Sequence, residues 1–489
     1  MLLTAQLLLS YQRCHRQAFL DTYEDKSQKN APSDFLNKLR QDRIEHQRSF
    51  FAHQTWVEPE YPKYDWQAGA QATLALMAAG VPQIRRGVLL VKYRNEAYFQ
   101  SIPDLLTKVP GDSELGDWHY VPTDIRLSKR PKLEYQILVT FHASLLARVQ
   151  GRYPENAFLY LRERGTYEVN LTVNQPKLDL LLVELQEILD KRQEPEVFIV
   201  NNRCNLCGWL SYCYEIAQQD QHLSLLPGVT PSRYPILQSQ NIASVEALSL
   251  ADPSHLAQAT GLSAEVTIKL VCQAQAFTQQ SPVIFAPTVA NATSPQLSPA
   301  PIELYFDIEA EPSLNLAYLH GVLVVDREAQ TQTFHALLAE QPDQEEQAWL
   351  QFLNLVLRYP HAPIYHFCAY EVQTVERLAA LYGTSADVVQ PLIKRFIDLH
   401  ALVTRTVVLP VESYTLKLIA RWIGFQWRNS EANGAQSIYW YSEWQATGNR
   451  EFIETIVDYN EDDCQATYQI KNWLTAFLAE SEQTALLPG

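Results

Sequence analysis

Two carboxylates, Asp307 and Glu309, stand two residues apart in the run ELYFDIEAEP. Alternation along a strand puts both side chains on one face. Acids held side by side repel unless a proton or a cation lies between them, so the pair is a candidate divalent-metal site. A second candidate lies near the end of the chain, in DYNEDDCQATYQIKNWL. There Tyr459 and Asp463 are four residues apart on a helical pattern whose apolar stripe is Ala466, Ile470, Trp473 and Leu474. Residues i and i+4 share a helical face, and a phenol one turn from a carboxylate can orient a metal-bound water. The neighbouring Glu461 and Asp462 suit the acid-rich first turn of a helix. Between these two segments, IYHFCAYEVQTVERL runs from strand into helix with Glu371 at the junction.

A different chemistry is written in NNRCNLCGWLSYC, where Cys204, Cys207 and Cys213 crowd together in a chain with only 7 cysteines. Three thiolates call for a fourth ligand, and Cys14 is the candidate. Four thiolates hold zinc or an iron–sulfur cluster, and spacing alone leaves both open. Cys272, Cys368 and Cys464 sit in apolar runs and are expected to be buried free thiols.

These residues must be positioned by 489 residues with 47% hydrophobic and 19% charged content, an ordinary globular composition. Length alone allows about two to four domains. No apolar run reaches the ~18–20 residues a membrane span needs. The opening MLLTAQLLLSYQRC lacks a basic start and is broken by Gln6 and Ser10, so no signal peptide is expected. The odd cysteine count argues against a disulfide scaffold, and a soluble cytoplasmic protein without membrane contact is the expectation. The net charge of −16 falls almost wholly after residue 230, an acidic half that is either a solvated surface or a place where carboxylates gather around metal ions.

The expected division is 1–222, an α/β domain closed by the cysteine cluster; 223–280, a small all-α module; 281–300, an uncharged Pro- and Ala-rich linker; and 301–480, a second α/β domain. The last reads strand–strand–strand–helix–strand and then helices, the order of an RNase H-like fold. In the middle module Leu226–Val229 and Thr260–Ser263 are glycine turns before helix-like stretches. Such turns look like helix–hairpin–helix motifs, which grip a phosphate without reading bases.

The residues also carry a family resemblance. Asp307-x-Glu309, His366-x3-Tyr370-Glu371 and Tyr459-x3-Asp463 resemble the motifs of the DEDD (DnaQ-like) exonucleases in their tyrosine-bearing subclass. Glu371 departs from the aspartate usual in the second motif. The isolated Cys14 with the distal Cys204, Cys207 and Cys213 resembles the iron–sulfur staple of RecB-like nucleases. Within that bracket His46, Asp104 and Asp124 match the metal ligands of the PD-(D/E)xK pattern, and Gln136 its downstream glutamine. Arg126 stands where the catalytic lysine is usual; arginine stays charged and has a different donor fork. Lys129 and Lys132 are nearby alternatives.

Together with SYTLKLIARWIGFQW and YNEDDCQAT, these features resemble RecB-like nucleases carrying a C-terminal YprB-type exonuclease domain. The resemblance implies an α/β multidomain chain: a RecB-like PD-(D/E)xK domain, a helix–hairpin–helix module and an RNase H-like DEDD domain. It implies a metal-dependent DNA nuclease of repair or recombination, a 3′→5′ exonuclease using two Mg²⁺ or Mn²⁺ ions. Asp307, Glu309, Glu371 and Asp463 would bind the ions, and Tyr459 would position the attacking water. Asp104, Asp124 and Arg126 would form the second catalytic group with His46. The cysteines would hold a [4Fe–4S] cluster, zinc being the alternative. No GxxxxGK[ST] pattern occurs, so any helicase would be a separate partner. The alternatives are a DNA-binding or assembly protein with degenerate sites and an RNA-processing exonuclease.

Overall fold

The computed structural model describes residues 1–94, 97–285 and 297–485. The chain forms two compact units, residues 1–216 and 217–489. Most of the expected linker (286–296) lies outside the described residues.

In the first unit, helix α1 (Asp34–Phe51) precedes a five-stranded sheet. Its strands are β1 (Gln83–Arg85), β2 (Leu105–Ser113) and β3 (Gly116–Arg126), then, beyond helix α2 (Leu133–Gln150), β4 (Phe158–Leu161) and β5 (Gly165–Glu168). They lie side by side in that order. Only β3 and β4 run parallel, and α2 is the crossover such a pairing requires. β3 is buried continuously from His119 to Arg126, as a central strand covered on both faces must be. Asp124 and Arg126 are thus polar groups in a dry strand, where charge persists only if paired. A smaller sheet sets Leu2–Thr4 parallel to Ala97–Ser101, which pairs with Leu89–Arg94. Leu3, Leu8, Phe99, Tyr120, Phe141 and Leu178 share one core.

The second unit begins with short helices. Pro253–Thr260 and α3 (Ala264–Gln279) are joined through Gly261, whose φ of 71° is the left-handed turn that glycine adopts without strain. Two side chains of α3 anchor it to the segment 404–409: Gln273 Nε2 donates to the Leu409 carbonyl at 2.6 Å, and Lys269 Nζ to the Thr404 carbonyl at 2.8 Å. The main sheet forms from β6 (Ile302–Glu311), β7 (Leu316–Asp326) and β8 (Thr331–Leu338), an antiparallel meander. Helix α4 (Glu345–Leu357) leads to β9 (Ile364–His366), and helix α5 (Tyr370–Leu381) precedes β10 (Phe396–Asp398). Both strands run parallel to β6 on its other side, giving the order β8-β7-β6-β9-β10. Helices α6 (Gly434–Thr447) and α7 (Arg450–Ala485) complete the unit.

Strand periodicity decides which helix each residue of β6 meets. Leu304, Phe306 and Ile308 pack with Trp349, Phe352 and Val356 of α4. Tyr305 faces the other way, into a core with Ala466, Ile470 and Leu474 of α7. Asp307 and Glu309 share that second face by parity. The register of α7 on the strand is fixed by the fully buried Lys471, whose Nζ lies 2.7 Å from Glu303.

One local expectation fails. α7 starts at Arg450, so Glu461 and Asp462 lie inside the helix rather than in its first turn. Their acidity is answered by Arg428, which donates to Asp462 at 2.8 Å, Glu461 at 2.9 Å and Asp458 at 3.0 Å. A distant arginine, not the helix dipole, explains the acidic run.

Candidate active site

The sheet and α7 bring Asp307, Glu309 and Asp463 together: one ligand oxygen from each lies within 4.8 Å of the others. Glu309 and Asp463 are 6% exposed. Each carboxylate is held by neutral donors. Asn460 Nδ2 donates to Asp307 at 2.6 Å, the Ser437 hydroxyl to Glu309 at 2.5 Å and Trp427 Nε1 to Asp463 at 2.7 Å. Among the described residues none of the three acids makes an ion pair.

Burial and mutual repulsion therefore outweigh these hydrogen bonds and the through-space pull of Lys417 on Asp463. Asp307 is held well above the usual carboxylate range, first by burial and then by Asp463, Glu309 and Glu371. Glu309 is pushed up to about 8, by burial and then by Asp463. Burial raises Asp463 to about 7, against the pull of its Trp427 and Tyr459 hydrogen bonds. Three crowded acids with raised pKa values, hydrogen-bonded only by neutral donors, form a group that a divalent cation would stabilise. The donor set is all oxygen, as Mg²⁺ and Mn²⁺ prefer, so the residues fit the ions the resemblance implied.

Tyr459 is buried beside this group and hydrogen-bonds Asp463. Burial and the surrounding carboxylates hold its phenol well above its ordinary value, so it remains a hydroxyl. Glu371 stands in the first turn of α5, felt through space by Asp307 but outside the compact group. Its Oε2 faces His366 Nδ1 at 3.3 Å.

Ser437, Asn460 and Trp427 escaped the sequence reading, as did Gly321. Gly321 lies opposite Asp307 on β7, and a Cβ there would come 1.7 Å from Asn460 Oδ1. A glycine inside the apolar strand YLHGVLVVD was the available signal, since it marks a close approach. Asn460, three residues before Asp463, shares its helical face. Ser437 and Trp427 carry no local signal.

In the first unit the structure joins Asp104, Asp124 and Arg126, with His46 beside the Arg126 and Tyr160 backbone rather than among the cavity-lining residues. Arg126 grips Asp124 Oδ2 through Nε at 2.6 Å and a terminal nitrogen at 2.5 Å. Burial would lift Asp124, yet the Arg126 and His142 partners bring it below the ordinary value. Asp104 hydrogen-bonds Asp124 and is raised to about 7, first by burial and then by that neighbour. Its oxygens also accept from the Ile125 amide at 2.7 Å and Gln47 Nε2 at 2.9 Å. α1 thus offers Gln47 to the acids, while His46 stacks on Tyr160 at 5.4 Å. Gln136 donates to the Pro131 carbonyl, and Lys129 pairs with Glu163.

Cys14, at the junction of helices Ala5–Arg13 and His15–Tyr23, lies near enough to Cys204, Cys207 and Cys213 to act on their thiols through space. Burial raises the Cys207 thiol to about 11, with further contributions from Cys14, Cys204 and Cys213. All four are half-buried free thiols.

A five-stranded sheet of this order, with acids from its first strand and last helix converging, defines an RNase H-like domain. Residues 304–475 match the model of the RNase_H_2 family, of the RNase H superfamily. Comparison with curated proteins gave no match. The C-terminal domain is RNase H-like, a class of metal-dependent phosphodiester hydrolases acting on nucleic acid. No helix of the described residues is long and apolar enough to cross a membrane.

Proposed function

We propose that the chain is a metal-dependent DNA exonuclease, acting 3′→5′ through its C-terminal site in DNA repair or recombination. The observation that carries this reading is the trio Asp307, Glu309 and Asp463, with one ligand oxygen of each within 4.8 Å of the others. Bound there, with Glu371 as a further oxygen donor, Mg²⁺ or Mn²⁺ would supply an activated water and charge for the leaving oxygen. The chain's own residues prepare the site. Asn460, Ser437 and Trp427 fix the carboxylates, and the protonated Tyr459 orients the water by hydrogen bonding. Direction and pathway rest on the DEDD resemblance.

The remaining modules fit a DNA-processing role. We infer that Cys14, Cys204, Cys207 and Cys213 hold a [4Fe–4S] cluster closing a RecB-like domain, supported by their convergence from both ends of the first unit. The turns at Gly228 and Gly261 in the 223–280 module would grip strand phosphates as helix–hairpin–helix motifs do. Duplex opening would fall to a separate helicase.

The deciding experiment digests 5′-labelled single-stranded DNA and RNA with Mg²⁺ or Mn²⁺, using wild type, Asp307→Ala and Asp124→Ala. Shortening of DNA from its 3′ end, abolished by Asp307→Ala and retained by Asp124→Ala, is expected. No digestion by wild type, or digestion surviving Asp307→Ala, overturns the reading; preference for RNA reassigns the substrate.

A further inference from the structure

Beside Asp104 and Asp124 lies a cavity of about 170 Å³, lined also by Arg43, Gln100, Arg126, His142 and the helix start at Thr4–Gln6. The resemblance implies a divalent cation here, and the side chains do not fit one. A metal needs open carboxylate oxygens, whereas both Arg126 contacts fall on Asp124 Oδ2. Asp104 is engaged by Asp124, the Ile125 amide and Gln47. Arg126 occupies the cation's role from within the chain.

What remains unanswered in the cavity is positive or donating. Gln100 and His142 are 5% and 2% exposed, and Gln100 Nε2 and His142 Nε2 have no hydrogen-bond partner. The Ser101 hydroxyl lies against His142 Nδ1. If it donates there, Nε2 carries the hydrogen and is a second vacant donor. Asp124 Oδ1, 3.9 Å from that nitrogen, is too far to accept it. The nine-residue helix Ala5–Arg13 opens onto the cavity, so its first turn presents the positive end of the helix dipole. Arg43 makes no ion pair among the described residues. The charged and titratable groups facing the space are Arg43, Arg126 and His142 against Asp104 and Asp124. Arg126 contacts Asp124 directly, whereas Arg43 acts on it only through space, so the Arg43 guanidinium is not tied into an ion pair among the described residues.

We propose that this cavity binds a phosphate group rather than a metal ion. A cavity of about 170 Å³ has room for a tetrahedral oxyanion. The group would arrive either as the terminal phosphate of a strand, with the nucleoside outside, or as free phosphate. The proposal is independent of catalysis at the C-terminal site.

The test uses the full chain carrying Asp307→Asn, so that substrate survives, and measures binding calorimetrically. Three probes are compared: inorganic phosphate, a 5′-phosphorylated oligonucleotide and its 5′-hydroxyl twin. Binding of inorganic phosphate, or a preference for the phosphorylated oligonucleotide over its twin, is expected, and which occurs identifies the source. Arg43→Gln, which breaks no ion pair among the described residues, should weaken that binding at least tenfold while the melting curve stays unchanged. Gln100→Glu should abolish it by charge. The proposal falls if no phosphate probe binds, or if Arg43→Gln binds as tightly as its parent. It also falls if Mn²⁺ binds the Asp307→Asn protein and is lost on adding Asp124→Asn.

Discussion

Replacing Glu309 by glutamine should make the metal-free protein more stable at pH 8 while destroying its activity. Glutamine keeps an oxygen for the Ser437 hydroxyl and removes only the charge. In the folded chain Glu309 is pushed from 4.5 to about 8, first by burial and then by Asp463. The folded state therefore holds this proton more tightly than the unfolded chain. That advantage is complete below pH ~4.5 and is lost as pH rises through about 8. At ~1.4 kcal/mol per unit the full span is on the order of 5 kcal/mol, and relaxation of a neutralised neighbour should return part of it. We expect Glu309→Gln to exceed wild type by ~2–4 kcal/mol at pH 8 in EDTA, or ~2–4 °C in Tm per kcal/mol for a domain of this size. The gap should close toward pH 4.5, where wild type is protonated. Adding Mn²⁺ should reverse the order, because the ion binds the wild-type fold. Thermal melts across pH 4.5–8.5, with EDTA and with Mn²⁺, read all three. A variant less stable than wild type at pH 8 in EDTA, or a gap independent of pH, refutes the account of an acid trio waiting for positive charge.

Tyr459→Phe should retain Mn²⁺ binding and lower kcat by ~10²-fold or more, since the water loses its orienting hydroxyl; equal loss of metal affinity would assign the phenol to ligand support. Gly321→Ala should drive α7 from β7 through the 1.7 Å clash with Asn460, costing ~3 kcal/mol or more and abolishing metal binding, as melts and Mn²⁺ titration would show. Arg428→Ala should cost ~1 kcal/mol at low salt, the guanidinium being 47% exposed, and less at 1 M NaCl. Cys14→Ser should lower the iron content of anaerobically prepared protein and destabilise the first unit; a colourless wild type containing zinc would contradict the iron–sulfur assignment.

The amino-acid order alone placed Asp307 with Glu309 and Tyr459 with Asp463, because strand and helix periods are local properties that fix shared faces. It also supplied the strand and helix order of the C-terminal domain. It left open what holds each acid. Ser437, Trp427 and Asn460 become partners only when α6, α7 and the Trp427 loop fold over β6, and the first two follow no spacing rule. Folding likewise decided against the local explanation of Glu461 and Asp462, since Arg428 reaches them from a separate segment. The clearest case is Arg126. Its sequence position marked a departure from a catalytic lysine, but only the packed strand showed both nitrogens on one oxygen of Asp124. Whether a buried acid is free for a metal or already neutralised depends on distances of a few ångströms between side chains, and those are set by tertiary packing.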